Sequence, residues 1–404
     1  MWPGAGVETG VMAGEAASAF GDRDRPAHPR VEPLPALTSL RFLAAVYVVA
    51  FHYDRYYFAA APRLDVIGLG FTGVTFFFVL SGFILAYNYC GVDLSAPEAR
   101  GRFYRARLAR VYPLFLLSLA LHLPWFAGWV MKSEPPLQGL MASGAVLAPL
   151  GLHAWLPGAA CSLNCPSWSI SVEIFFYALF PVLLPLVLRR PSRALFATLA
   201  LWGGLAAIAT LVWSAYGAGV SLIEPEPGGL LPVLAAQFIK YFPLMHLPEF
   251  MAGLLLFTLW QRVRPPVPVL LALSAAGFAA TLALMHAAPQ AVVHNGLSIL
   301  AWGPLILAGA GMRGGPLCAR PLVFLGKVSF ALYLLHIPVY AALNTIDRAV
   351  LHGALLAHPW LGATVASLAA LAAATLAHLL VEEPARRLIL RGFRRGAPAV
   401  LPAR

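Results

Sequence analysis

The sequence predicts an all-α polytopic membrane protein of about ten transmembrane helices with both termini cytoplasmic. Three observations carry this. Of 404 residues, 60% are apolar and 11% charged, with a mean hydropathy of +0.76, whereas a soluble domain carries roughly 25% Asp, Glu, Lys and Arg. Apolar runs of about 20 residues, enough to cross ~30 Å of hydrocarbon, recur along the chain. The basic residues sort to alternate connecting segments. The charge deficit excludes a soluble enzyme, a disordered chain and a nucleic-acid-binding explanation of the net +11.

The ten runs begin near Ala36, Ile67, Val111, Trp168, Ala194, Leu230, Val267, His294, Leu322 and Leu361. The sixth, Leu230 to Trp260, holds Pro243 and Pro248, which predicts a kinked, tilted or broken span. A shorter stretch, Leu137 to Leu152, contains Gly144 and Pro149 and reads as re-entrant or interfacial. With the N-terminus inside, inner segments carry 21 of the 28 Lys and Arg. These include Arg23, Arg25 and Arg30, the run from Arg100 to Arg110, and Arg386 to Arg404. Outer segments carry only Arg55, Arg63, Lys132 and Arg348, the bias expected when basic loops stay cytoplasmic. Residues 1–35 read as a flexible cytoplasmic arm without a signal peptide. The membrane domain spans 36–390, and a basic cytoplasmic tail covers 391–404. Cys161 and Cys165 share an outer loop, where a disulfide and two thiols are both open; Cys90 and Cys318 read as ordinary thiols.

Soluble-enzyme signatures are absent. There is no G-x-S-x-G elbow, H-E-x-x-H or phosphate-binding P-loop. Gly68, Gly70 and Gly73 spell G-x-G-x-x-G but open a membrane span, so the match is accidental. The informative residues are polar ones within spans, where an ionisable group costs at least ~2.5 kcal/mol unless it meets a cavity or partner. Arg41 and His52 lie eleven positions apart, about 16 Å along a helix and within about 20° of one face. They could line a cavity or snorkel to opposite interfaces. Counting ~1.5 Å per residue places His52, His336 and Glu173 in one layer, about 21 to 24 Å above the inner face. Ser169, Glu173 and Tyr177 form one helix stripe and Ser329, Tyr333 and His336 another. A shared polar chamber accounts for both stripes, against interhelical hydrogen bonding alone. The inner segment RGRFYRARLARVYP supplies Arg102 with Arg105 and Arg107 with Arg110. Such pairs suit phosphates, although most basic inner loops only set topology.

Several stretches together resemble the acyltransferase 3 family of integral membrane acyltransferases, which includes lipopolysaccharide and peptidoglycan O-acetylases, nodulation-factor acetylases and macrolide acyltransferases. Arg41 and His52 match its R-x10-H, and GVTFFFVLSGF from Gly73 matches its second-span pattern. Arg107, Arg110, Val111 and Pro113 match its inner R-x-x-R segment, and WSISVEIFFY from Trp168 its W-S-[IL]-x-x-E pattern. LPEFMAGLLL from Leu247, including Glu249, and LGKVSFALYLLHIP from Leu325 are similar to two further segments. Glu383, Pro384 and Arg387 resemble the closing E-x-P-x-R. One departure is His246, where relatives often carry Arg.

The resemblance implies transfer of an acyl group, most often acetyl, from acetyl-CoA or another acyl-CoA to a hydroxyl. The acceptor would be a carbohydrate such as a cell-surface polysaccharide or, alternatively, a natural product such as a macrolide, and the setting the bacterial inner membrane. Lipid bilayer and the two substrates are the partners; no metal, no permanently bound cofactor and no nucleic acid are expected, since a thioester is already activated. On this view Arg105, Arg107 and Arg110 contact the coenzyme A phosphates and Arg41 stands at the cavity mouth. His52 is the general base, and Glu173 either orients it or takes the proton itself. Trp168, Ser169, Tyr177, Ser329, Tyr333, His336 and Glu249 would line the acceptor pocket. Direct transfer and an acyl-enzyme relay both fit. A transporter or flippase of ten spans is the reading from another class, although no internal repeat supports it; a structural scaffold would leave the aligned polar residues unexplained.

Overall fold

The computed structural model describes residues 32–59, 64–217, 219, 221–222 and 229–395. The expectations for the arm through residue 31, for Arg63 and for the tail beyond residue 395 lie outside the described residues. The described residues from Leu34 onward form one compact unit, and no strand occurs among them.

Ten helical segments are long and apolar enough to cross a membrane: Pro35–Tyr57, Asp65–Tyr89, Pro97–Val130, Cys165–Arg189, Pro191–Tyr216, Leu230–Arg262, Val267–Leu284, Gln290–Gly311, Arg320–Ala349 and Pro359–Arg391. The chain is a multi-pass all-α membrane protein. Nine of the ten begin within a few residues of the predicted starts. The third is the exception: its helix starts at Pro97, fourteen residues before Val111. Pro97 supplies a preset φ at the first turn, where its missing N–H costs nothing. The arginine-rich segment is therefore not a loop but the first turns of this helix.

The sixth span is broken as its prolines predict. Leu230–Tyr241 ends where Phe242 turns extended at φ −66° and ψ 127°. A 3-10 turn over Pro243–His246 follows, and the helix resumes at Leu247–Arg262 with Pro248 in its first turn. The tenth span is interrupted by a π-helical turn over His378–Glu382, a wider turn often found at functional sites, and resumes as Glu383–Arg395. The Leu137–Leu152 stretch forms a helix over Pro135–Leu147, too short to span. The loop after it turns inward, and residues 158–164 are all buried. Its exposed backbone is held by side chains, with Gly158 N and Ala160 N both donating to Gln237 Oε1 at 2.9 and 3.1 Å. Non-helical backbone at membrane depth is tolerated only where protein satisfies it in this way. Cys161 and Cys165 in this loop are disulfide-bonded.

Two close crossings fix the spans that bear the site. A Cβ on Gly82 would lie 2.2 Å from Phe250 O, and one on Gly253 would lie 2.0 Å from Val79 O. The second and sixth spans thus touch backbone to backbone, as small residues permit in lipid, where no hydrophobic force draws helices together. A Cβ on Gly326 would lie 1.9 Å from Thr38 O, which seats the ninth span against the first, one turn below Arg41.

Candidate active site

The first span is continuous from Pro35 to Tyr57, so Arg41 and His52 stand about 16 Å apart along it. His52 meets His336 of the ninth span, with ring centroids 4.9 Å apart and His52 Nδ1 3.3 Å from His336 Nε2. The remaining hydrogen bonds fix both tautomers. His52 Nδ1 lies 2.8 Å from Val48 O, and His336 Nδ1 lies 2.7 Å from Tyr333 O. A carbonyl can only accept, so both Nδ1 atoms carry the hydrogen and, in the neutral rings, both Nε2 atoms carry the lone pair. His336 Nε2 then accepts from His52. His52 Nε2 has no partner among the described residues and is not sealed from accessible space, the disposition of a base with its lone pair available.

Glu173 makes no hydrogen bond to this pair. Its Oε2 accepts from Tyr177 O–H at 2.9 Å, and the cations whose field it feels are Arg110, Arg41 and Arg107. The expectation that Glu173 orients His52 is therefore corrected: Val48 O and His336 hold that ring.

A second centre thus gathers at the arginine-rich end. Arg41, Arg107, Arg110 and Glu173 are half-buried, and a charge at membrane depth keeps accessible surface where it lines a polar cavity. Arg41, Arg107 and Arg110 make no hydrogen bond or ion pair with a described residue, and Arg107 Nε is buried without a partner. Three guanidiniums with unspent donors suit a polyanion with several phosphate oxygens. Arg105 does not join them. It lies ~200° around the helix from Arg107 and is exposed.

The other predicted residues divide. Ser169 Oγ and Tyr333 O–H both donate to Pro166 O, at 3.0 and 3.1 Å, joining the fourth and ninth spans beside His336. Ser329 is fully buried and donates back to Gly326 O at 2.8 Å, so it is spent within its own helix. Trp168 and Glu249 belong to a third centre at the break in the sixth span. Glu249 accepts from Thr75 Oγ1 at 2.7 Å and lies 2.9 Å from His246 Nδ1. His246 Nε2 donates to Lys240 O at 2.9 Å, replacing a hydrogen bond that the break removes. Trp168 and Phe78 flank the imidazole with centroids 5.1 and 5.0 Å away. His246 thus ties the carboxylate of Glu249 to the broken end of the preceding helix. Glu249 is satisfied and 1% exposed, which seats it in the frame and apart from the His52 pair.

Sequence reasoning missed the His378–Glu382 pair, 2.8 Å apart and buried. It singled out Glu383 instead, whose side chain faces outward to Arg386 and Arg387 at 3.3 and 3.4 Å. The available signal was a His and a Glu at i, i+4 within an apolar run, which share a helix face. A neutral His153 was missed as well. It sits in the inward-folded loop, where burial pushes its imidazole down to about 4, and its Nε2 lies 3.1 Å from Ser167 Oγ.

The comparisons with known proteins agree with the motifs. The chain is 32% identical to acyltransferase MdmB of Streptomyces mycarofaciens over 90% of its own length and 94% of that protein. It is 24% identical to O-acetyltransferase OatA of Staphylococcus aureus over 77% of its length, spanning about half (51%) of that longer protein. No solved structure matches. The acyltransferase domain model matches residues 34–379, which takes in the His52 pair and the unpaired arginines and replaces the transporter reading with that of an enzyme. The chain belongs to the acyltransferase 3 family.

Proposed function

We propose that the protein is an O-acyltransferase of the bacterial inner membrane that moves an acyl group, most often acetyl, from cytoplasmic acyl-CoA to a hydroxyl of a carbohydrate. The observation that carries this is the pairing, on the first span, of an unspent lone pair at His52 Nε2 with the unpartnered Arg41 guanidinium about 16 Å along the helix, where Arg107 and Arg110 of the third span add two more. With the arginine-rich end in the cytoplasm, Arg107 and Arg110 hold the phosphates of the donor and Arg41 meets the arm that leads to its thioester. A distance of about 16 Å is shorter than the extended arm plus nucleotide, so the donor reaches the histidine from below.

In direct transfer, His52 Nε2 takes the proton of the acceptor hydroxyl as its oxygen attacks the thioester carbonyl. The C–S bond breaks and the proton passes from the imidazolium to the departing sulfur, giving the ester and the free thiol of the coenzyme, which then withdraws toward the arginine-rich end. His336 Nε2, accepting from His52 Nδ1–H, holds the ring and stabilises its charged form. Tyr333 and Ser169 line the acceptor side. No metal is required, because the thioester supplies the activated carbonyl.

The test is acylation by the purified protein with radiolabelled acetyl-CoA, offered glycan and small natural-product hydroxyl acceptors in parallel. Transfer to the glycan supports the carbohydrate acceptor, and transfer only to the small molecule replaces it. Thioester-independent behaviour, with neither transfer nor coenzyme A binding, sinks the donor assignment.

A further inference from the structure

The ninth span carries a fault beside its histidine. Pro338 lies inside the helix, two residues beyond His336, and a proline has no N–H to give. The carbonyl four residues back, Leu334 O, is left without its ordinary helical donor. It sits next to Tyr333 O, which takes the hydrogen of His336 Nδ1 at 2.7 Å. An orphan carbonyl at membrane depth is costly, and a proline is where a helix most readily bends. The turn that bears His336 is therefore one that the helix does not hold by itself.

A side chain from outside supplies the donor. Asn164 of the inward-folded loop is fully buried, and its Nδ2 donates to Leu334 O at 2.9 Å. Two residues further along the same loop, Pro166 O accepts from Tyr333 O–H at 3.1 Å. The two bonds run in opposite directions between residues 164–166 and 333–334, which fixes the helix to the loop at this turn. The loop stands on a firm base. Ser162 Oγ donates to Met141 O at 3.0 Å, His122 Nδ1 meets Leu163 O, and Gln237 holds Gly158 and Ala160. Leu163, just before Asn164, is kept at φ 64°, a left-handed backbone that a bulky side chain adopts only where its surroundings impose it. From the other side, Tyr53 O–H of the first span donates to His336 O at 3.1 Å. The histidine's turn is thus gripped both by the loop and by the helix that carries His52.

We infer that Asn164 is a positioning residue: by capping the carbonyl that Pro338 orphans, it holds the His336 turn in register with His52. The inference rests on the reading of His52 as the base and extends it to a loop residue outside the two polar helix stripes. The margin is narrow. His336 Nε2 lies 3.3 Å from His52 Nδ1, and a drift of ~0.5 Å takes such a contact beyond hydrogen-bond range. The base would then lose part of what orients it, while Arg41, eleven residues down the first span, keeps its place.

The experiment uses full-length protein purified in detergent, with transfer from radiolabelled acetyl-CoA to the same glycan and small natural-product acceptors. It compares Asn164→Ala, Pro338→Ala, His336→Leu and the two double variants that join Asn164→Ala to each of the others. Asn164→Ala is expected to lower kcat about three- to fivefold, the worth of one hydrogen bond, with the donor KM unchanged. Added to Pro338→Ala it should cost little, since the helix regains an N–H for Leu334 O. Added to His336→Leu it should cost nothing further, because residues acting as one unit are non-additive. Wild-type kcat in Asn164→Ala, or losses that multiply in either double variant, would overturn the assignment. Should Asn164→Ala alone fail to fold, its combination with Pro338→Ala is expected to fold and to turn over as Pro338→Ala does. A double variant that still fails to fold, or that drops by a further factor of about five, overturns it equally. Wild-type protein that transfers nothing, or transfer that survives His52→Ala, removes the base reading and this inference together. Transfer lost in His52→Ala beside an unaffected Asn164→Ala removes this inference alone.

Discussion

The two ends of the first span are built on opposite electrostatic plans. Around His52 the groups in contact are a second imidazole, a carbonyl and an aromatic edge, His336 at 3.3 Å, Val48 O at 2.8 Å and Phe51 at a centroid distance of 5.2 Å, and the nearby cation, Arg55, lies over the Phe51 ring. Around Arg41 stand Arg110, Glu382 and Glu173, all ionisable. A proton acceptor works best where nothing charged fixes its state beforehand, whereas a polyanion is held best by cations whose donors are unspent. One helix of 23 residues serves both needs because its eleven-residue spacing returns to the same face at a different depth.

Breaking the neutral end should have the largest effect. His52→Ala is expected to lower acceptor acylation by about 10² to 10⁴-fold, the usual worth of a general base, with unchanged insertion in the membrane. Near-normal turnover would remove the histidine from the chemistry. Breaking the charged end should act on binding. Arg107→Gln with Arg110→Gln is expected to raise the donor KM by about tenfold or more, since each charge-assisted bond contributes roughly 1.5 to 3 kcal/mol. The acceptor KM should stay put; an unchanged donor KM would assign both residues to topology. A finer comparison comes from His336→Leu, which removes one of the two acceptors that share His52 Nδ1–H. A loss of about fivefold in kcat, near 1 kcal/mol, is expected for one hydrogen bond, and no loss would mean that Val48 O alone holds the ring. The smallest effect on turnover should come from the third centre. Thr75→Val leaves a Glu249 oxygen without its donor and should cost about 1 to 3 kcal/mol of stability, seen as a lower midpoint in a thermal melt, with kcat nearly unchanged.

The spans and the site were not equally legible in the sequence. Apolar length and basic bias placed nine of ten helix starts, because a bilayer imposes one length on every crossing. The third start was hidden by its own arginines: composition cannot tell a basic loop from a basic first turn, and here Pro97 decides it. His52 and His336 could be paired from depth alone, since both lie on unbroken helices. Glu173 could not, because its depth depends on how the preceding loop folds. Glu249 was legible as a motif and illegible as a place, since only the broken sixth span shows that it faces Thr75 and His246. Arg105 shows the limit of spacing: sharing a segment with Arg107 says nothing about sharing a face.

The π-helical turn at His378–Glu382 has a consequence in the currency of insertions and deletions. Such a turn holds one residue more than the α-helix on either side, so the chain below it is rotated by about 100° relative to an uninterrupted helix. Removing a single residue from Leu379 to Val381 would let the tenth span run straight, with every polar and charged side chain still present. Glu382 would leave its place opposite His378, and the surface arginines from Arg386 onward would swing around the helix with it. A shortened chain of unchanged chemistry would then have lost the register that sets one acidic group inside the bundle and its immediate neighbour outside.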